Sequence, residues 1–293
     1  MSESSGSSTA LSAEAVARFR NDGFLLVEGF FTEQELDGFA PFVDAAVAHR
    51  TSGDDRPLSE KNLYEQTFTQ CKGLWEDNEE IRPLTFHPRL CAAAASLLDA
   101  DRVRLWHDQA LYKTAGGRKT DAHMDYPFWP VDEPDLVSAW IPFDDVRHGG
   151  GVMGYVQGSH RLGLDQFVDI GQLRGGEPVD ILQEPEVAAL PVVWVEAPRG
   201  SVIFHHACTI HLAEANGTAT TRRVFTTVYL KDGRCRASDK KSFNCDRDGI
   251  RVGQVIDGPG FPVAWPRDTD EWPQPPEVRG PKTGFGFAPE PRP

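Results

Sequence analysis

The chain has 293 residues, 40% of them hydrophobic, and carries 30 Lys and Arg against 44 Asp and Glu for a formal net charge of −14. That balance argues against nucleic acid or an anionic membrane surface as a partner, and no apolar run nears the ~20 residues of a membrane span. The five cysteines (Cys71, Cys91, Cys208, Cys235, Cys245) are odd in number and scattered, so neither a zinc site nor a disulfide framework is expected. A cytoplasmic, reducing setting is expected.

In chain order, residues 1–11 are Ser-rich and read as disordered. Residues 12–293 read as a single domain. Ser12 is an N-cap for a first helix that ends near Gly23, and residues 24–27 follow as a short strand. Thr32 and Glu35 form a capping-box pattern ahead of a second helix running toward Ala48. Residues 51–60 are a polar loop, and the whole 51–80 stretch reads as a long loop with the length of a lid. A third helix covers about 88–99. Beyond residue 100 the texture changes to short strands and turns. Val103, Leu105, His107, Gln109, Leu111 and Lys113 alternate with their neighbours, as expected for one face of a strand. Strands are also expected over 119–125, 136–143, 151–156, 200–206 and 223–230. Many short strands with Gly/Pro turns suggest a sandwich or barrel. From about 257 the chain is Pro-rich and reads as extended surface wrapping that could also serve as a lid.

The residues that carry chemistry sit in the strand-rich part. His123 and Asp125 lie two apart on a predicted strand and so share a face. With a second histidine they make the ligand set of a mononuclear non-haem iron(II) oxygenase, which leaves coordination positions for O2 and an organic acid. His205, His206 and His211 all compete for that second place, and residue type leaves the three open. A guanidinium could grip a carboxylate of the acid through a bidentate pair. Arg222 and Arg223 are rivals, since neighbours on a strand face opposite ways.

The segment 200–229 then resembles the closing segment of the phytanoyl-CoA dioxygenase family, through Phe204, His206, His211, Asn216, Thr218 and Arg222. Ala213 stands where that pattern usually has Ser. Residues 140–145, 150–153, 157–160 and 21–36 resemble further family segments in the same order, so the likeness spans about 14–232. Gln157 and Gly150 replace the usual Pro and Asn.

The resemblance implies a mainly β fold with flanking helices, a double-stranded β-helix (jelly roll, cupin-like). It implies an Fe(II)- and 2-oxoglutarate-dependent oxygenase using O2, and its chemistry admits ascorbate as a reductant. It selects His211 over its neighbours, giving His123, Asp125 and His211 as the metal ligands. It likewise selects Arg222 for the co-substrate, leaving Arg223 for a surface salt bridge. Gln109 and His107 are the further donors expected near the co-substrate, with Trp140 matching a family tryptophan beside it. Tyr126, Phe128 and Trp129, directly after Asp125, are expected to wall a pocket for a small-molecule substrate. Related halogenases have a small residue in place of the Asp, so Asp125 points to hydroxylation, with desaturation or ring formation open to the same oxidant. A non-catalytic binding protein on this fold is the competing reading, since fold does not fix function.

Overall fold

The computed structural model describes residues 11–173 and 179–279. The expected disorder over 1–11 therefore falls, except for Leu11, outside the described residues.

Eleven strands are described: β1 (Phe24–Val27), β2 (Thr69–Lys72), β3 (Val103–Tyr112), β4 (Thr120–His123), β5 (Leu136–Pro142), β6 (Met153–Val156), β7 (Val192–Val195), β8 (Val202–His206), β9 (His211–Ala213), β10 (Val224–Lys231) and β11 (Val263–Trp265). They form two antiparallel sheets. The larger runs β1-β8-β5-β10-β3-β11, with β2 also paired to β3, and the smaller runs β4-β9-β6-β7. Helices pack on the outer face of the larger sheet, and the smaller sheet faces its inner side. This is the jelly roll that the sequence implied.

Local chemistry accounts for the helices. Ser12 caps the helix Ala13–Asp22 by accepting from the Ala15 N–H at 3.1 Å. Gly23 ends it in the left-handed region at φ 84°, where a Cβ would lie 2.4 Å from the His160 ring. The Thr32–Glu35 capping box is formed in both directions, and its helix, Glu33–Thr51, runs one turn beyond the expected end. Leu36, Val43, Leu90 and Phe86 from the helical layer bury against Leu105, Ile141, Phe204 and Phe225 of the sheet. Removing such apolar area from water stabilises the layer pair by roughly 25 cal/mol per Å2.

Three expectations are corrected. The 51–80 segment is not a structureless loop: it contains β2 and a helix, Leu74–Asp77. The buried Asp108 side chain anchors this segment to β3 by accepting from the Trp75 N–H (2.9 Å), and it also accepts from the hydroxyl of Thr85 beyond the segment (2.8 Å). Second, the alternation along β3 is interrupted. Val228 pairs with His107 and Tyr229 with Leu105, so Trp106 is an extra, bulged residue. Val103 and Leu105 join the helix-side core, whereas Leu111 packs on the inner side with Trp140. His107, Gln109 and Lys113 therefore face inward, opposite to Val103 and Leu105. Third, the Pro-rich segment is not surface wrapping throughout: it contributes β11 on β3 and buries Phe261 and Ala264, while most of 266–279 lies exposed without strand or helix. Among the described residues no helix is long and apolar enough to cross a membrane.

Candidate metal centre

The space between the sheets collects the polar side chains. His123 ends β4 and His211 begins β9, and the two are cross-strand partners. Asp125 lies past the end of β4, in helical backbone (φ −77°, ψ −39°) at the start of the turn Tyr126–Phe128. This corrects the premise that a shared strand aims His123 and Asp125 at one point. A turn does so instead. The Asp125 and Tyr126 N–H groups both donate to the Ala207 carbonyl at 3.0 Å, which swings the carboxylate back toward the histidines.

The ligand atoms of His123, Asp125 and His211 all lie within 4.8 Å of one another. Asp125 Oδ1 is 3.9 Å from each histidine Nε2. In both imidazoles Nδ1 faces a carbonyl two residues back, His123 on Asp121 at 2.8 Å and His211 on Thr209 at 2.9 Å. With the proton on Nδ1, each Nε2 offers its lone pair inward, the arrangement that orients metal-binding imidazoles. Burial lowers the affinity of both rings for a second proton. Burial alone would raise the Asp125 carboxyl, but His211, His205 and His123 outweigh it and hold the group below the usual carboxylate range. All three are thus in the protonation states that a cation requires.

Two further side chains grip the second oxygen of Asp125. Ser138 Oγ donates to Oδ2 at 3.2 Å, and His205 Nε2 lies 3.3 Å from it. Ser138 and His205 are themselves cross-strand partners on β5 and β8. Oδ2 is occupied, so Oδ1 is left to a cation. His206 is turned away from the cluster, its Nδ1 accepting from the Cys208 N–H at 3.1 Å. Of the three competing histidines, His211 joins the triad, His205 touches its carboxylate and His206 does neither.

Arg222 points inward. Its Nη1 donates to the Gly151 carbonyl at 2.6 Å, its guanidinium lies 5.4 Å from the Trp140 ring centre, and its Nε has no partner among the described residues. Arg223 faces the other way and pairs with Asp44 (2.7 Å) and Asp144 (2.6 Å). Lys113 is completely buried and forms a backbone bridge with Arg222, donating and accepting at 3.0 and 2.9 Å. Its ammonium donates to the Arg118 carbonyl and, at 3.4 Å, to Thr120 Oγ1. Burial first, and then Arg222 and Arg118, push the lysine down to about 6, while burial brings Arg222 down to about 10. Among the described residues neither cation has a carboxylate partner. A second buried positive charge beside Arg222 is costly, so burial favours the neutral amine of Lys113, and an anion bound between the two would favour its charged form. Gln109 accepts at Oε1 from Gln70 Nε2 (2.6 Å), and Gln70 in turn accepts from the Tyr64 hydroxyl (2.8 Å). Its own amide nitrogen is left for the interior. His107 is on the same face and is held neutral by burial.

The aromatic residues after Asp125 divide. Phe128 lies 6.3 Å from the His123 ring and 4.7 Å from Phe167, at the edge of the cluster. Trp129 packs at 5.9 Å on Trp106 and 6.0 Å from His107. Tyr126 donates to the Val131 carbonyl at 2.9 Å. The sequence reading gave no role to Ser138 or Tyr155 and chose Gln109 rather than Lys113. Lys113 was legible as the inward end of the β3 alternation. Ser138 becomes meaningful only through its register with His205.

A family model described as phytanoyl-CoA dioxygenase (PhyH) matches residues 19–224. The mouse phytanoyl-CoA dioxygenase domain-containing protein 1 is 23% identical over 265 residues, covering 76% of this chain and 90% of its own length. The ectoine dioxygenase of Bordetella parapertussis is 26% identical over 243 residues, covering 75% of each. Among solved structures, the non-heme alpha-ketoglutarate-dependent carbocyclase SnoK from nogalamycin biosynthesis superposes with a TM-score of 0.71 at 26% identity, covering 86% of this chain and 96% of that one.

Proposed function

Because the chain belongs to the phytanoyl-CoA dioxygenase family, we propose that it is an iron(II)- and 2-oxoglutarate-dependent dioxygenase that hydroxylates an unactivated C–H bond of a small organic molecule in specialised metabolism. The observation that carries this reading is the pairing of a convergent His123–Asp125–His211 triad with two buried basic side chains, Arg222 and Lys113, that have no carboxylate in salt-bridge contact among the described residues and lie on the same inner face. The donor set fits a first-row divalent ion. The cation pair fits the far carboxylate of a dicarboxylic acid whose other end reaches that ion.

Iron(II) with 2-oxoglutarate supplies the oxidising chemistry that activates O2 toward C–H bonds. The chain's own residues position and shield it. His123, Asp125 and His211 would hold the metal, and Ser138 and His205, both on Asp125 Oδ2, would leave Oδ1 as the ligating oxygen. Arg222 and Lys113 would meet the distal carboxylate, with Trp140 against the guanidinium. Gln109, braced by Gln70, offers a donor from β3. Phe128 and Phe167 shield the outer edge with apolar surface, which favours an apolar substrate over a polyanionic one. Five free thiols suit a reducing, cytoplasmic setting in which iron stays ferrous.

Ring formation is the second reading, favoured by the 26% identity to a carbocyclase, equal to that to ectoine dioxygenase. Asp125 supports oxygen transfer over halogenation, because the carboxylate fills a position a halide would need.

The test is co-substrate turnover followed as succinate release. We expect it to require Fe(II) and to vanish in His211→Ala while surviving in His206→Ala. Arg222→Lys, which keeps charge but loses the planar fork, should raise the 2-oxoglutarate KM at least tenfold with iron binding unchanged. An Arg223→Lys defect with an unaffected Arg222→Lys would reassign the anchor. Absence of iron-dependent succinate from the wild type would favour a binding protein.

A further inference from the structure

Tyr155 lies on β6 directly opposite His211 in the register, so its ring shares the inner face with the triad. It is completely buried, stacked at 4.7 Å on Phe24, and its ring centre lies 5.6 Å from His205 and 6.2 Å from His211. Despite this burial its hydroxyl has no hydrogen-bond partner among the described residues. Buried tyrosine hydroxyls ordinarily find one. Two neighbouring polar atoms on the same inner face share this condition: Arg222 Nε, and Oγ1 of Thr226, which pairs across strands with both Gln109 and Trp140. Ala213, the inward residue after His211, brings no hydroxyl from β9. These three unpaired atoms, a phenol, a guanidinium nitrogen and a hydroxyl, come from or just before strands that line the inner side of the two sheets. Tyr155 also shares a buried apolar cluster with Trp140, whose ring centre lies 5.4 Å from the Arg222 guanidinium. Burial and the Asp125 charge both push the phenol's ionisation up, so it stays a neutral donor.

We propose that the Tyr155 hydroxyl binds the 2-oxo acid, donating a hydrogen bond to it along the path from the His123–Asp125–His211 triad to Arg222. This rests on the co-substrate assignment above and adds a residue to it. The ring fixes the hydroxyl rigidly through its stack on Phe24, so the bond would be preformed when the acid arrives.

The experiment is anaerobic titration of the Fe(II)-loaded protein with 2-oxoglutarate, read as the visible charge-transfer band of the chelate, for wild type and Tyr155→Phe. Phe keeps the ring stack and removes a hydroxyl that has no protein partner, so folding should be unimpaired and the melting temperature equal or higher. We expect unchanged Fe(II) affinity, a 2-oxoglutarate Kd raised roughly ten- to hundredfold, and a displaced band, since a donor to a carboxylate contributes on that scale. Equal Kd and an identical band in the two proteins would overturn the proposal while leaving the oxygenase reading intact. A wild type that gives no 2-oxoglutarate-dependent band would overturn both.

Discussion

Lys113 shows at the residue scale how the site is built at the expense of stability. Its folded-state value of about 6 lies below the ordinary 10.5. The unfolded chain therefore takes up a proton first as pH falls from about 10.5, and the native state is penalised increasingly until about 6, below which the cost is constant. Lys113→Met should raise the melting temperature at pH 7, by about 2–4 °C for each kcal/mol recovered. The gain should shrink as pH approaches 10. The same variant should bind 2-oxoglutarate more weakly, because Arg222 then meets the distal carboxylate alone. Calorimetric melting at pH 7 and pH 10, beside a binding titration, measures both. At this scale the sequence was most legible where side-chain chemistry is rare: two imidazoles, one carboxylate and one arginine at family spacing. It was least legible where common residues act through contact. Ser138, His205 and Tyr155 matter because strand register brings them to Asp125 and His211, and register is a property of pairs of strands.

Among the elements, the helices and long strands were readable because caps and periodicity are local. The Thr32–Glu35 box is an example, and Thr32→Ala should cost about 1 kcal/mol in denaturant unfolding without altering iron affinity. Loss of iron affinity in that variant would mean that the helical layer shapes the centre more directly than its position suggests. The strands that went unread were β2, β7, β9 and β11, each of three or four residues. β2 reads Thr-Gln-Cys-Lys and is defined by its pairing to β3 rather than by hydrophobicity. The Trp106 bulge has the same origin. It reverses the facing of β3 midway, so a strict period of two links Val103 to His107 although they lie on opposite faces. The turn after β4 does similar work for Asp125, whose direction follows from two N–H bonds to the Ala207 carbonyl.

For the whole molecule, two sheets make a barrel whose interior holds the His123–Asp125–His211 cluster and, apart from it, the basic side chains Arg222 and Lys113, roofed by helices on one side and edged by Phe128 and Phe167 on the other. Such an interior suits a small, acidic co-substrate followed by an apolar substrate. The predicted reaction inserts one atom of O2 into product and the other into succinate, even with chloride in excess. Turnover under labelled O2 with mass detection of both products checks this. A chlorinated product would contradict the role assigned to Asp125, and an unlabelled, desaturated or cyclised product would keep the ligands and change the outcome. The most direct measurement of the central claim is an anaerobic crystal structure of the chain with Fe(II) and 2-oxoglutarate, using anomalous scattering at the iron edge. The account predicts one iron peak roughly 2.0–2.2 Å from His123 Nε2, Asp125 Oδ1 and His211 Nε2, with the distal carboxylate of the acid on Arg222 and Lys113. Iron bound instead through His205 or His206, or a carboxylate seated away from Arg222, would contradict it.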